Sequence, residues 1–340
     1  MTPTPAPPPT ARTKRPLVPP AVALFLRLAI VAGLLTWIAT RVDFIAFGRT
    51  LAAADPRFLI AAGLAVLLGH ASASLRWHRL LRAAGSTWRF GRTAAVYAAG
   101  IFLGLFIPTG VGGDVYRLAR VSGSGAGLAR GGATILIERA VGLLALLLVG
   151  TGFVFAQEGT RPWGVPLVLG ALGGIAGLVA LSVPGGPERL ARLLDGLPGP
   201  GPSLAARVRD AFPRDVMDRL RGALPGTLLL SMLNHVLLIV VAVLLARGLG
   251  LSAPWPAVAA AVPLVMLAAQ VPITPGGIGV REAGFVYFLG RVGVAEEAAL
   301  ALALGWAALL YLVGLLAALG LLGDRDRGAA AATSPPPPPQ

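Results

Sequence analysis

The sequence predicts an all-α polytopic membrane protein with about six spans plus two re-entrant broken helices that form an inverted repeat. The chain has 340 residues, of which 56% are hydrophobic and only 13% are charged. Soluble domains carry about 25% charged residues. Several apolar runs approach or exceed the ~20 residues that cross a bilayer. Two further apolar stretches are interrupted by proline and glycine, and charges follow each interruption.

The net charge of +14 comes almost entirely from arginine in the segments between apolar runs. This distribution is typical of positive-inside topology and fits nucleic-acid binding poorly. The chain has no cysteine, which excludes disulfides, and its three histidines are scattered. We therefore expect no metal site and no cofactor.

The chain is predicted to begin with a disordered, proline-rich cytoplasmic tail over residues 1–19 and to end with a disordered tail over 324–340. The membrane domain lies between them, at 20–323. Its first apolar run is long and is interpreted as an uncleaved span. The predicted spans are 20–40, 57–76, 131–156, 163–183, 223–246 and 298–322.

Arginine in the connecting segments predicts the topology. Segment 76–92 carries five arginines and no acid, and 184–222 carries seven arginines and five acids, so both should be cytoplasmic. The apolar stretch 93–112 leads to further arginines, which stay cytoplasmic only if the stretch enters the membrane and returns. The stretch 256–292 should do the same from the other side. A model with eight full spans remains an alternative.

This topology places the protein in the cell membrane (the plasma or inner membrane) as a multi-pass protein with both termini cytoplasmic. It divides the membrane domain into inverted-repeat halves at about 57–183 and 223–322. The cytoplasmic linker 184–222 joins them.

The two interrupted stretches carry similar motifs. FIPTGVGGDVYRLAR begins at Phe106, and VPITPGGIGVREAGF begins at Val271. Each joins proline to threonine, continues with glycines and ends in charged residues. Opposite-facing broken helices of this kind line the midplane sites of secondary transporters. The candidate substrate-binding residues are Pro108, Thr109, Gly110, Gly112, Gly113, Asp114 and Arg117 in the first motif, and Thr274, Pro275, Gly276, Gly277, Gly279, Arg281 and Glu282 in the second.

The chemistry of these motifs favours an anionic ligand. Non-helical backbone at membrane depth is tolerated only when it is buried in protein or lines a wet cavity. A helix that restarts after glycines presents free N–H groups and a positive dipole end, which suit a phosphate or carboxylate. Arg117 and Arg281 would add direct cationic contacts. The alternative is a pair of tight turns whose ion pairs only close the bundle.

Polar residues occur within two further apolar runs. Glu138 and Arg139 lie near the start of a span, where they either contribute to the same cavity or form an interfacial ion pair. Asn234 and His235 lie near the centre of another span. They are interpreted as helix glue through interhelical hydrogen bonds, with a proton relay through His235 as the alternative.

These residues resemble the lysylphosphatidylglycerol synthase transmembrane-region family over about residues 57–320. The resemblance is carried by RWHRLLRAAG, FIPTGVGGDVYR, ILIERAVGL and PITPGGIGVREAGF. It implies a flippase-like membrane protein that handles lipids. Two departures matter: we expect no soluble synthase domain and so no lysine transfer, and Gly305-Trp306 stands where an arginine is expected.

The resemblance implies a transporter that moves an anionic or modified lipid, either a phospholipid or a polyprenyl-linked lipid, between leaflets. The expected partners are membrane lipids, with a lipid-modifying enzyme as a supplier of substrate and no nucleic acid. We expect no catalytic residues. Two alternatives stay open: a membrane enzyme acting on a polyprenyl-phosphate-linked substrate, and a small-anion permease.

Overall fold

A computed structural model describes Thr36 and residues 44–106, 112–122, 128–196, 201–271, 274, 277 and 279–317. The described residues form helices and turns, with no strand among them. The α-helices are α1 (Phe44–Ala52), α2 (Pro56–Ala83), α3 (Phe90–Phe106), α4 (Gly112–Val121), α5 (Leu128–Val154), α6 (Gly164–Ser182), α7 (Gly186–Asp195), α8 (Gly201–Ala211), α9 (Arg214–Leu220), α10 (Leu224–Gly248), α11 (Trp255–Ala268), α12 (Val280–Gly290) and α13 (Glu296–Ala317). Short 3₁₀-helices at Glu158–Trp163 and Arg221–Ala223 precede α6 and α10.

Several predictions lie outside the described residues. They are the first span apart from Thr36, the two tails, and the motif residues Pro108, Thr109, Gly110, Pro275 and Gly276.

The predicted all-helical membrane fold is confirmed. Five helical segments are long and apolar enough to cross a membrane: Pro56–Ala83, Leu128–Val154, Glu158–Ser182, Arg214–Gly248 and Glu296–Ala317. They coincide with the five predicted spans that follow the first one. The predicted linker is itself helical, since α7, α8 and α9 lie within it.

One predicted boundary is wrong. The span predicted to end at Arg76 continues as α2 to Ala83, so the arginine-rich stretch after it is partly helical. Trp77, Leu80 and Leu81 are fully buried there. Their i, i+3, i+4 spacing forms an apolar face that carries the helix past the first arginine.

The bundle is organised around α2 and α10, which make the most extensive contact between helices. The Ser72 hydroxyl donates a hydrogen bond to the Leu230 carbonyl at 3.1 Å, and Gly69 lies against the Asn234 side chain. Small residues and interhelical hydrogen bonds stabilise helix pairs in lipid, where apolar burial alone gives little preference. Helices α3 and α5 pack beside this pair.

The two interrupted stretches form antiparallel helical hairpins. In the first, Gly113 of α4 packs on Gly100 of α3, and the Arg117 guanidinium lies 4.6 Å from the centre of the Tyr97 ring. In the second, Gly284 of α12 packs on Val265 of α11. The four helices have 17, 10, 14 and 11 residues, fewer than the ~20 that cross a bilayer.

The hairpins open at opposite ends of the bundle. The first opens where α2 ends and α10 begins, since the Phe90 ring lies 5.6 Å from that of His78. We call this end the arginine-rich end. The second opens at the opposite end, where the Asp55 N–H donates to the Gly248 carbonyl and Gly159 packs on Arg291. The inverted repeat itself stays a prediction.

Candidate functional site

A polar cavity of about 450 Å³ lies among the helices of the bundle. Helices α2, α3, α4, α5 and α10 supply its walls, and Gln270 reaches it from just beyond α11. His235, near the middle of α10, places the cavity well inside the span. Its lining residues are Arg76, Tyr97, Asp114, Arg117, Glu138, Arg139, Ala140, Gly142, Leu143, Asn234, His235 and Gln270.

Five charged side chains of this lining form one continuous chain of ion pairs. The Arg76 Nη2 lies 2.8 Å from Glu138 Oε1, and Glu138 Oε2 also pairs with Arg117. The Arg117 Nη1 lies 3.2 Å from Asp114 Oδ1, and Asp114 Oδ2 pairs with Arg139. In order the chain is Arg76, Glu138, Arg117, Asp114 and Arg139. Three arginines and two carboxylates leave it with one net positive charge.

The inner part of this chain is buried and well supported. Arg76, Arg117 and Glu138 are 8%, 7% and 3% exposed. The Tyr97 hydroxyl donates to Glu138 at 3.3 Å, and Arg76 donates to the Ser231 hydroxyl at 3.0 Å. Removing a charged group from water costs free energy, so buried charges are stable only when they are paired and hydrogen-bonded. Each inner charge therefore has a direct partner of opposite sign, and Arg117 also pairs with Asp114.

Aromatic rings from α2 and α3 contact the Arg117 guanidinium. Its central carbon lies 4.2 Å from the centre of the Trp77 ring and 4.6 Å from that of Tyr97. Cation–π contacts of this kind contribute about 2 kcal/mol when desolvated. Arg117 is thus fixed by two rings and two carboxylates, and a direct contact from it to a ligand stays a prediction.

Adjacent positions on α5 have different surroundings. Glu138 points into the buried network, whereas the Arg139 side chain is half exposed and lines the cavity. Neighbouring residues on a helix project about 100° apart, which accounts for the division. The two do not pair with each other: Glu138 bonds α2 and α4, and Arg139 bonds α4. Of the three arginines, Arg139 is the one best placed to meet a ligand.

None of the described residues of the second motif lines this cavity. Arg281 and Glu282 are not among its lining residues, and the Glu282 carboxylate accepts a hydrogen bond from the Gly279 N–H at 2.5 Å. Glu282 thereby caps the start of its own helix. Gly277 and Gly279 have φ angles of +74° and +80°, which favour glycine. Thr274 and Glu282 are buried. Ligand binding by this motif stays a prediction.

The sequence missed four residues that build the polar site: Arg76, Tyr97, Ser231 and Gln270. The helical spacing of Trp77, Leu80 and Leu81 could have revealed that Arg76 is inside the bundle. Gln270 lies directly before the second motif, but none of its sequence neighbours predicts that its side chain reaches a cavity lined by the first motif. No pattern in the sequence around Tyr97 or Ser231 predicts that these residues contribute to the polar site.

The similarity of this chain to a known protein family extends over most of the bundle. The model of the lysylphosphatidylglycerol synthase TM region matches residues 24–318, which is most of the chain. The chain belongs to this family. No curated protein matches it. The membrane helices, both hairpins and the polar cavity all fall within the matched residues.

In this lysylphosphatidylglycerol synthase TM-region protein, an apolar cavity adjoins the polar one. It measures about 200 Å³ and shares Arg76, Tyr97 and Asn234 with the polar cavity. Most of its other lining is aliphatic or small, and Leu310 of α13 contributes to it. A polar space therefore borders an apolar space at the centre of the bundle.

Two predicted helix-glue residues lie at this border. The His235 Nε2 is 2.9 Å from the Gly142 carbonyl, so it must be the protonated ring nitrogen and donate to that oxygen. This interhelical bond joins α10 to α5, as the helix-glue interpretation requires. Asn234 lines both cavities. The proton relay through His235 stays a prediction.

Proposed function

We propose that this protein moves an anionic or modified lipid between the leaflets of the cell membrane through the polar cavity. The observation that carries the proposal is the contact between a net-positive polar cavity and an apolar one inside the bundle. A lipid has the same two parts. Its charged headgroup would occupy the polar cavity while its acyl chains stay among apolar side chains or in the bilayer.

In this mechanism Arg139 is the headgroup contact. Its guanidinium is half exposed, lines the cavity and already binds one carboxylate, Asp114. An incoming phosphate would compete with Asp114 for that guanidinium, because arginine can bind a phosphate through two parallel N–H···O bonds. The buried pairs of Arg76 and Arg117 with Glu138 would keep their partners. The headgroup thus replaces one ion pair without exposing an unpaired inner charge.

The test is lipid movement in proteoliposomes made with the purified full chain. Vesicles would carry a trace of phosphatidylglycerol or phosphatidylcholine with a fluorescent acyl chain, and dithionite would report the fraction reaching the outer leaflet. We expect Arg139→Gln to slow movement of the anionic lipid by roughly 10-fold or more, since a charge-assisted hydrogen bond contributes about 1.5–3 kcal/mol.

Arg207→Gln is the matched control, because Arg207 is an exposed arginine of α8 remote from the cavity lining. Equal rates for wild type, both variants and empty vesicles would refute transport. Release or transfer of a headgroup without movement would support an enzyme acting on a lipid-linked substrate. Phosphate or sulfate flux without lipid movement would support a small-anion permease.

A further inference from the structure

A further cavity, of about 740 Å³, opens on the outer surface of the bundle at the arginine-rich end. The last turns of α2 form one wall, and the segment from α9 to the first turn of α10 forms the other. It shares no residue with the polar cavity. This surface cavity is therefore a separate site, with its own chemistry.

On each wall, helical spacing brings the lining residues onto one face. On α2, Leu75, Arg79 and Arg82 lie at i, i+4 and i+7 and so share one face. Arg76 lies about 100° away from Leu75 around the helix, which points it to the interior instead. On the facing wall, Arg219, Gly222 and Gly226 lie at i, i+3 and i+7.

The surface cavity is strongly basic. Arg79, Arg82 and Arg219 are all exposed and line it. Among the described residues no carboxylate pairs with any of these three arginines. The nearby carboxylates are engaged elsewhere, since Asp218 pairs with Arg221 at 2.6 Å and Asp215 with Arg130 at 3.5 Å. Three uncompensated guanidinium groups around one opening suit a phosphate group.

Glycine keeps the cavity open between the arginines. A Cβ on Gly226 would lie 2.8 Å from Arg79 Nη1, so the guanidinium rests directly on the α10 backbone. Gly222 has open space where its Cβ would lie. With larger side chains at these two positions, the second wall would fill the space that the three arginines surround.

An apolar surface runs from this cavity along the two spans. On α2 the exposed residues Leu64, Leu68 and Leu75 continue the face of Arg79 and Arg82. On α10 the exposed residues Leu229 and Leu233 lie beyond Gly226. From Leu68 to Arg82 the helix rises about 21 Å, a length suited to an acyl chain. A soluble anion would use the arginines alone, whereas a phospholipid would use both the arginines and this apolar surface.

We propose that the surface cavity binds an anionic phospholipid of the leaflet at the arginine-rich end. Its phosphate is held by Arg79, Arg82 and Arg219, and its acyl chains lie on the exposed leucines of α2 and α10. Basic pockets between membrane helices bind anionic headgroups in this way. The site is independent of the proposed transport route, because it involves neither Arg139 nor the ion-pair chain.

Native mass spectrometry of the detergent-purified full chain tests the proposal. The protein would be titrated with phosphatidylglycerol and with phosphatidylcholine of the same acyl chains. We expect tighter binding of phosphatidylglycerol, and a loss of roughly 100-fold in the triple variant Arg79→Gln, Arg82→Gln, Arg219→Gln, given about 1 kcal/mol per basic residue near a membrane surface. The corresponding lysine variant should keep part of the affinity, since lysine binds phosphate as a point charge.

The control variant Arg189→Gln, Arg192→Gln, Arg207→Gln removes the same charge from exposed positions on α7 and α8. It should bind phosphatidylglycerol like wild type. Equal loss in the two triple variants would show a non-specific charge effect and overturn the site. Equal affinity for glycerol phosphate and for the whole lipid would overturn the assignment to a lipid. Normal binding here with failed transport by wild type would refute only the proposed function.

Discussion

Glu138 is the residue on which the buried charges of the central cavity depend. Its carboxylate accepts from Arg76 through Oε1 and pairs with Arg117 through Oε2. In Glu138→Gln, one side of the new amide is a donor, so it faces one of the two guanidinium groups with the wrong polarity. The ion-pair chain also rises from one net positive charge to two.

The expected destabilisation follows from burial. Arg76 and Arg117 are both more than nine-tenths buried, so water cannot replace the lost carboxylate. Breaking a buried ion pair by removing one partner costs about 3–5 kcal/mol. We expect a loss in that range from the free energy of unfolding. The double variant Arg76→Met, Glu138→Gln returns the net charge to one and should recover part of this loss.

Reversible unfolding in mixed detergent micelles, followed by tryptophan fluorescence, measures these differences. Trp77 packs against Arg117 and reports on the site directly. Asp215→Asn is the control, because the Arg130–Asp215 pair is largely exposed, with side chains 43% and 60% accessible, and such pairs contribute about 0–1 kcal/mol. A loss in Glu138→Gln no larger than in the control, or additive effects in the double variant, would refute the reasoning.

Two further predictions use the same unfolding assay. Gly113→Ala should destabilise by about 1–3 kcal/mol, because its Cβ would overlap the Gly100 carbonyl oxygen within the first hairpin. Gly132→Ala has open space at the Cβ and should not destabilise; equal effects would contradict the hairpin contact. Tyr97→Phe removes the hydrogen bond to Glu138 while keeping the ring, so we expect a loss of about 0.5–1.5 kcal/mol. A loss as large as that of Glu138→Gln would show that the hydroxyl does more than this one bond.

Part of the central cavity could be predicted from the sequence. Charges rarely occur within apolar runs unless they have partners or a function. This rule identifies four candidate residues: Asp114, Arg117, Glu138 and Arg139. The structure brings all four together. Their partners could not be predicted, because each ion pair except Asp114–Arg117 joins residues of different helices. No periodicity within one helix indicates which residue of another helix will face it.

Arg76 is the clearest case of a residue whose position could not be predicted from the local sequence. An arginine at the end of an apolar run is expected to lie at the interface, and the prediction placed it there. Its true position depends on Glu138, which lies 62 positions further along the chain. With a carboxylate from α5 as its partner, the guanidinium can be buried, and α2 continues past Arg76 to Ala83. The local sequence contains the apolar face that permits this extension but not the partner that stabilises the charge.

Four features could be predicted from the sequence: the class of protein, five spans among the described residues, the two interrupted stretches and the family. These follow from local composition and spacing, since a bilayer imposes a length of apolar helix that can be read along one segment. Only the folded structure shows that Asp114 and Arg117 of the first motif line the polar cavity whereas Arg281 and Glu282 do not. It also gathered Arg79, Arg82 and Arg219 around one surface cavity. The physical reason is that charge compensation and cavity shape depend on distances between helices, which the order of residues along the chain does not specify.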